Sequence, residues 1–507
     1  MGVTRRTVLR TLAAGGVAAA GTTTAVGQAS AIELDCALSG ELFEPSGDVT
    51  SRDVTIASFD GTELAATVYE PDTAGPHPSV LTTHGWGLNK DLMRCTAQMY
   101  ASHGYVVLAY DSRGFGDSDG EVQVNGPNEV RDVSALLDWL ADYDEVRADG
   151  DNPAVGMDGG SYGGGIQLLA AAQDDRIDAI VPRIAWNDLV YSGAPNETIK
   201  SGWLGALVGS GAVTSRFTGN IEQTLDERLP EWYGEALEAN ALPADAESYF
   251  EARSPATYLD DLDAPTLVVS GWKDTLFPPS EAVANYRQAS AVGVDARLVI
   301  YNGGHNIAEL GVGDDQQTYM HEAALEWMNA HVRGDGDPDI PEVSLYDEQQ
   351  ETWRTFEGFG DGAEPVAVSL DSLADDRSTV RQAPLWASRT ADYDIGSDGA
   401  FEVFGTPELT LTVETDNDVL NLFVSFSHVD RWGRSEQIDD QVTAVRIEDG
   451  TQTVALELEP LQRSVPDGET LRLEIAAEDP FYLDEYGSAT VHNDGSTLEL
   501  PLADGSL

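Results

Sequence analysis

The sequence has almost no lysine. Lys90, Lys200 and Lys273 are the only three in 507 residues, and every other cation is an arginine. Basic charge is scarce altogether, with 28 Lys and Arg against 88 Asp and Glu, a formal net charge of −60. This excludes nucleic acid and anionic lipid as partners, because both are held by basic patches. The same imbalance suits multimolar salt, where screening shortens to ~3 Å and self-repulsion collapses. We read the chain as salt-adapted, with an ordinary acidic secreted protein as the alternative. Cysteine is also scarce. Cys36 and Cys95 cannot build a disulfide scaffold, although they can form one bridge outside the cell, and neither sits beside a base in a motif. Both read as structural. Long apolar runs are missing too: beyond the N-terminus no stretch reaches the roughly eighteen residues of a spanning helix. Apolar content itself is not lacking. At 41% hydrophobic the chain is no acidic disordered tail, and its length calls for two or three domains.

Thr4-Arg5-Arg6-Thr7-Val8-Leu9-Arg10 precedes a mildly apolar run of Ala, Gly and Thr, and Ala29-Ser30-Ala31 offers a small-residue cleavage site. This is the twin-arginine export pattern, too weakly hydrophobic for a permanent membrane helix. We expect a signal peptide over 1–31, a mature chain beginning near Ile32 and a secreted protein with no stable membrane insertion. An uncleaved anchor is the alternative.

A polar lead-in over 32–50 gives way to a hairpin, Val54–Ala57 and Leu64–Tyr69 around Asp60-Gly61. Short apolar runs then alternate with helical periods. Ser79–Thr83, Tyr105–Tyr110, Ala154–Asp158, Ala179–Ile184, Pro265–Ser270 and Arg297–Tyr301 read as buried parallel strands. Val130, Val133, Leu136, Leu137 and Leu140 line one helix face, and Met320–His331 is a second such segment. The alternation predicts a doubly wound α/β domain over 51–335, interrupted at about 188–260 by a helical cap. Gly334-Asp335-Gly336-Asp337-Pro338 reads as a linker. After it, Glu408–Glu414, Leu420–Ser427, Thr453–Leu458 and Leu471–Ala476 alternate apolar and polar, predicting an all-β sandwich over 341–507.

The chemistry is concentrated at Gly159-Gly160-Ser161-Tyr162-Gly163, where an apolar strand runs into G-x-S-x-G and a helix follows. A bare G-x-S-x-G arises by chance among 50 glycines. In strand–turn–helix context it marks a nucleophile on a strained turn, where side chains two positions either side would collide. A serine needs a base, and the base an orienting acid, in the chain order Ser, Asp, His. Asp274 leaves the strand Pro265–Ser270, and His305 leaves Arg297–Tyr301 in a glycine loop. Asp188, at the start of the cap, is the rival acid. Asp111 is expected to pair with Arg113 and hold a loop. Two N–H donors must face the oxyanion: the Tyr162 amide, and one from His84-Gly85-Trp86-Gly87, for which we take the Trp86 amide. His84 itself reads as structural. No metal or cofactor is expected. The chain has no H-E-x-x-H, paired-cysteine or calcium-loop spacing, and its G-x-G fragments do not fit a dinucleotide fingerprint.

Tyr110-Asp111-Ser112-Arg113-Gly114, Asp138-Trp139-Leu140, Gly159–Gly164 and Asp178-Ala179-Ile180-Val181-Pro182 together resemble the X-Pro dipeptidyl-peptidase (S15)/CocE–NonD serine hydrolases. Gly405–Leu411 and Asn421–Val424 look like that family's jelly-roll domain. The resemblance implies an α/β-hydrolase fold with a helical cap, followed by an all-β jelly-roll (galactose-binding-like) sandwich. It implies cleavage of small acyl esters or release of X-Pro dipeptides by Ser161, Asp274 and His305. Where family members often present a tyrosine hydroxyl to the oxyanion, this chain has Trp86, so a main-chain amide must serve. The long N-terminal region of the dedicated peptidases is also missing, and both departures favour esters. The substrate is therefore expected to be a small ester, with a short peptide as the alternative. A non-catalytic surface-binding protein is a further alternative. Trp186 and Trp203 are candidates for the acyl pocket, though core is their commoner role. Oligomeric state is not legible.

Overall fold

The computed structural model describes residues 48–217, 225–305, 312–383, 388–396, 399–483 and 485–507. The expected signal peptide, its cleavage site, most of the lead-in and Cys36 lie outside the described residues. Cys95 is disulfide-bonded.

The N-terminal unit is a ten-stranded sheet. Its strands are β1 (Val49–Ala57), β2 (Glu63–Pro71), β3 (Ser79–Thr83), β4 (Val106–Tyr110), β5 (Val155–Gly160), β6 (Ala179–Arg183), β7 (Thr266–Gly271), β8 (Ala296–Tyr301), β9 (Val343–Asp347) and β10 (Thr352–Phe356). They lie in the order β1-β2-β4-β3-β5-β6-β7-β8-β9-β10. From β4 to β9 neighbours run parallel, while β1, β2 and β10 pair antiparallel at the two ends. The expected hairpin is β1–β2, with Ile56 opposite Leu64. β3 and β4 are buried at every position, as central strands of such a sheet must be, and in β3 the hydroxyls of Ser79, Thr82 and Thr83 donate to main-chain carbonyls.

Helices α1 (Arg94–Ser102), α2 (Pro127–Ala141) and α3 (Tyr162–Ala171) follow β3, β4 and β5. In α2 the stripe Val130, Val133, Leu136, Leu137 and Leu140 is buried; Pro127 opens the helix and Glu129 reaches back to the Gly126 amide. The cap holds α4 (Leu189–Gly193), α5 (Ser201–Phe217), α6 (Arg228–Ala239) and α7 (Ala244–Glu251). α8 (Pro279–Val292) joins β7 to β8. α9 (Asp314–Met328) continues through a wide turn, Asn329–Arg333, to Gly334 at φ +87°.

The expected start of the β domain at 341 needs correction. Val343–Asp347 pairs parallel with β8, and Thr352–Phe356 pairs back on it, so both belong to the α/β sheet. The Gly- and Asp-rich run 334–338 is an ordinary helix-to-strand connection, whose polarity imitates a linker. The sandwich begins with β11 (Glu364–Ser369). It continues through β12 (Arg377–Gln382), β13 (Ala391–Ile395), β14 (Phe401–Gly405), β15 (Glu408–Val429), β16 (Ser435–Gln437), β17 (Thr443–Glu457), β18 (Leu461–Val465), β19 (Thr470–Ala476), β20 (Gly487–His492) and β21 (Thr497–Asp504). Its described pairings are antiparallel. Two expected strands, Glu408–Glu414 and Leu420–Ser427, are one long strand. The polar run Thr415–Asp418 shifts the register against β17 without ending the pairing.

The loop after β4 also differs from expectation. Arg113 does not pair with Asp111. It donates to Asp132 at 2.6 and 2.8 Å and to Asp60 at 2.8 Å, tying the hairpin to α2. Asp111 accepts from the amides of Lys90 (2.6 Å) and Asp117 (2.9 Å). The cause is a chain reversal at Gly116 (φ +54°), where an added Cβ would lie 2.2 Å from the Asp111 carboxyl carbon. The carboxylate is enclosed by its own turn and cannot reach the arginine. Removing one member of a buried ion pair strands the other. Arg113→Met is therefore expected to cost ~3 kcal/mol or more in urea unfolding at high KCl, and a loss below ~1 kcal/mol would contradict the pairing.

Candidate active site

The site lies at the C-terminal ends of the parallel strands, where the strand order reverses around β3. β5 ends at Gly160 and α3 begins at Tyr162, leaving Ser161 between them at φ +56°, ψ −116°. A β-carbon on Gly159 would lie 2.8 Å from the Thr83 carbonyl oxygen, and one on Gly163 2.4 Å from it. Both positions exclude a side chain, as the motif's physics requires. Gln167, which the sequence reading passed over, locks the turn. Its amide donates to the carbonyls of Gly159 (3.0 Å) and Gly163 (2.7 Å) and accepts from the Val181 N–H.

Asp274 and His305 leave the adjacent strands β7 and β8. Their loops press together through the Lys273 amide on the Gly303 carbonyl at 2.8 Å. Asp274 is fully buried. Its Oδ1 accepts from the amides of Leu276 and Phe277, each at 2.9 Å, which leaves Oδ2 for His305 Nδ1 at 2.7 Å. The other ring nitrogen, Nε2, lies 2.9 Å from Ser161 Oγ. Phe277 and Trp203 meet the imidazole edge-on at 4.9 and 5.9 Å. The structure thus brings together three residues expected from separate loops. It leaves Asp188 elsewhere, capping α4 through the amides of Val190 and Tyr191.

Trp86 and Tyr162 stand beside Ser161 on the same cavity wall. Among the described residues, neither main-chain N–H has an acceptor. The Trp86 indole cannot turn to the serine, because it donates to the Leu207 carbonyl at 2.9 Å. The Tyr162 hydroxyl donates to Glu129 at 2.5 Å, and burial pushes that carboxyl up to about 7. His84 is structural. Its Nδ1–H donates to the Gly85 carbonyl at 2.8 Å and Nε2 accepts from the Ser112 N–H, a neutral tautomer that burial favours by lowering the pKa.

The loop carrying Asp274 is gripped by residues with no such role legible in the sequence. Gln441, from the sandwich, donates to the carbonyls of Trp272 (2.8 Å) and Asp274 (2.9 Å). Lys200, from the cap, donates to the carbonyls of Thr275 and Leu276, each at 3.1 Å, and burial lowers its pKa. Trp203 donates to Thr275 Oγ1 at 3.1 Å and stacks on Phe481 of the sandwich. Lys200 carried a signal as one of three lysines and Trp203 as a pocket candidate, whereas Gln441 carried none.

Against Ser161 opens a cavity of about 110 Å³, walled by aromatic and aliphatic side chains that include Trp86, Trp186, Leu204, Trp232 and Phe277. No described lining residue is a carboxylate. Trp186 therefore lines the pocket, although core is the favoured reading for both tryptophans, while Trp203 packs against the histidine. Among the described residues no cluster of three metal-ligating side chains occurs, and no helix is long and apolar enough to cross a membrane.

A sheet of this order with a helical cap and a trailing sandwich is an α/β hydrolase of two-unit type. Residues 60–306 match the family model of the X-Pro dipeptidyl-peptidase (S15 family), and 396–493 match the X-Pro dipeptidyl-peptidase C-terminal non-catalytic domain. The class is that of the serine hydrolases. Cocaine esterase of Rhodococcus sp. is 28% identical over 355 residues, 60% of this chain and 59% of its own. A putative Xaa-Pro dipeptidyl-peptidase of Bacillus cereus is 22% identical over 289 residues, 53% of this chain and 46% of its own. The crystal structure of a CocE/NonD family hydrolase from Staphylococcus aureus superposes with a TM-score of 0.68 at 16% identity, covering 90% of this chain and 97% of its own. The chain belongs to the X-Pro dipeptidyl-peptidase (S15) family of serine hydrolases.

Glu281, on α8, accepts from the amides of Asn187 and Asp188 where the chain enters the cap. Burial pushes it up to about 8. Its folded pKa exceeds its ordinary value, so between about pH 4.5 and 8 the folded state holds a proton the unfolded state has released. Its contribution to stability is lost as pH rises through that window. Unfolding midpoints of Glu281→Gln and the parent chain, compared from pH 5 to 8 in high KCl, should show the parent losing ground steadily. A difference independent of pH would contradict this.

Proposed function

We propose that the protein cleaves small acyl esters through an acyl-enzyme on Ser161. The observation that carries this reading is the continuous relay from Asp274 to His305 to Ser161, at 2.7 and 2.9 Å, on a serine held in a left-handed conformation. In the proposed reaction Ser161 Oγ attacks the ester carbonyl carbon while its proton passes to His305 Nε2. Asp274 holds the imidazole by Nδ1 and stabilises the imidazolium that forms. The carbonyl oxygen, now anionic, takes the amides of Trp86 and Tyr162, the second at the N-terminus of α3. The imidazolium returns its proton to the departing alkoxide, the C–O bond breaks, and the acyl group stays on Ser161. Water, deprotonated by the same histidine, repeats the attack and frees the acid.

The character of the pocket favours esters over X-Pro peptides. An X-Pro dipeptide brings a free α-ammonium, which in an apolar cavity needs a carboxylate partner. The described lining offers none. The likeness to cocaine esterase points the same way. In multimolar KCl, p-nitrophenyl butyrate should be hydrolysed and Ala-Pro p-nitroanilide should not. Ser161→Ala should lower the ester rate by 10³-fold or more while the protein stays folded. Efficient anilide cleavage would transfer the protein to the peptidase reading, and turnover retained by Ser161→Ala would refute the mechanism.

We also infer that the enzyme is exported by the twin-arginine route and adapted to high salt. Arg5-Arg6 before a weakly apolar run supports the first, and the net charge of −60 the second. Changing both arginines to lysine should leave activity inside the cells, and undiminished activity in the medium would count against export.

A further inference from the structure

The acyl cavity has a polar spot that the proposed reaction does not use. Ser192, in α4, is 1% exposed and lines the cavity, yet its hydroxyl has no hydrogen-bond partner among the described residues. A helical serine ordinarily turns its hydroxyl to the carbonyl four residues back. Here that carbonyl, of Asp188, takes the Ser192 amide at 2.8 Å, but the hydroxyl is not bonded to it. Buried hydroxyls without partners are costly and uncommon in native proteins, so this one needs an explanation.

The other side-chain polar hydrogens of the cavity wall are engaged. The indoles of Trp86, Trp186 and Trp232 donate to the Leu207 carbonyl, the Arg253 carbonyl and Asp245. The hydroxyls of Tyr162 and Tyr233 donate to Glu129 and the Ser201 carbonyl. Ser161 faces His305. Ser192 lies in the cap between Leu189, which packs against the cluster of Tyr162 and Phe277, and Gly193, whose side-chain position would meet Leu204.

From its place on this wall we propose that Ser192 is a specificity-determining residue that hydrogen-bonds one oxygen on the acyl chain of the substrate. The preferred substrates are then esters of oxo- or hydroxy-acids whose remaining acyl atoms are apolar. The proposal rests on the ester reading given above. An apolar cavity discriminates weakly between acyl groups that differ by a methylene, whereas one polar group placed in it selects strongly for a matching partner.

The test compares p-nitrophenyl pentanoate with its 4-oxo analogue, and the heptanoate with its 6-oxo analogue, in the parent chain, Ser192→Ala and Ser192→Thr. At one chain length the oxo ester should exceed its alkyl parent in kcat/KM by about 2- to 10-fold, the worth of one neutral hydrogen bond, and chiefly through KM. Ser192→Ala should remove that preference, and Ser192→Thr, which keeps a hydroxyl, should retain part of it. An oxo-to-alkyl ratio that is the same in the parent and Ser192→Ala at both lengths would overturn the proposal. Calorimetric binding of the same four esters to Ser161→Ala, with and without Ser192→Ala, separates the two levels of inference. A Ser192-dependent preference in binding without Ser161-dependent turnover would sink the ester mechanism alone, and no such preference would sink the role of Ser192.

Discussion

One main-chain oxygen sets the geometry of the site. The carbonyl of Thr83 lies so close to Gly159 and Gly163 that neither can carry a β-carbon, and Gln167 ties the carbonyls of those same glycines together. Between those two glycines the chain passes through Ser161 at φ +56°, ψ −116°, a strained conformation for a residue with a β-carbon. The Thr83 contact also fixes the nucleophile turn against the end of β3, so the loop of Trp86 must begin beside the serine. Ser161 and the amides of Trp86 and Tyr162 are thus placed by backbone packing, before any side chain is chosen.

Asp274 and His305 are placed differently. Asp274 sits on a loop whose carbonyls are held by a lysine from the cap and a glutamine from the sandwich, while its own Oδ1 is fixed by two amides further along. Three parts of the chain therefore meet at one carboxylate. The sandwich is bound into this arrangement, since Phe481 stacks on Trp203 and its carbonyl takes the Gly202 amide. The sandwich thereby helps to determine where the Asp274–His305–Ser161 hydrogen bonds stand.

Much of this could be read from the residues. Short buried strands show as uninterrupted apolar runs, and the nucleophile turn shows because glycine at 159 and 163 is compulsory. Asp274 and His305 were legible because loops after late parallel strands converge. Long-range polar contacts were not. Gln441 and Gln167 look like any other glutamine, and their roles exist only once distant segments meet. Arg113 is the instructive error: two residues from Asp111, it seemed the natural partner, but the reversal at Gly116 turns the carboxylate away. Strands 343–356 were assigned to the wrong unit because a Gly- and Asp-rich turn resembles a linker, and the two halves of β15 were parted by a polar stretch that only shifts register.

The three lysines are all occupied. Lys90 lies against Asp111 and Asp117, Lys273 against Glu348, and Lys200 is buried on two carbonyls. A guanidinium stays protonated and is a poor nucleophile, whereas a free ε-amine readily captures activated acyl groups. The protein surface is therefore nearly devoid of amines able to compete with water for an acyl group. For a serine hydrolase, this chain is poorly suited to acylating itself, and equally to being tethered, cross-linked or glycated through its amines.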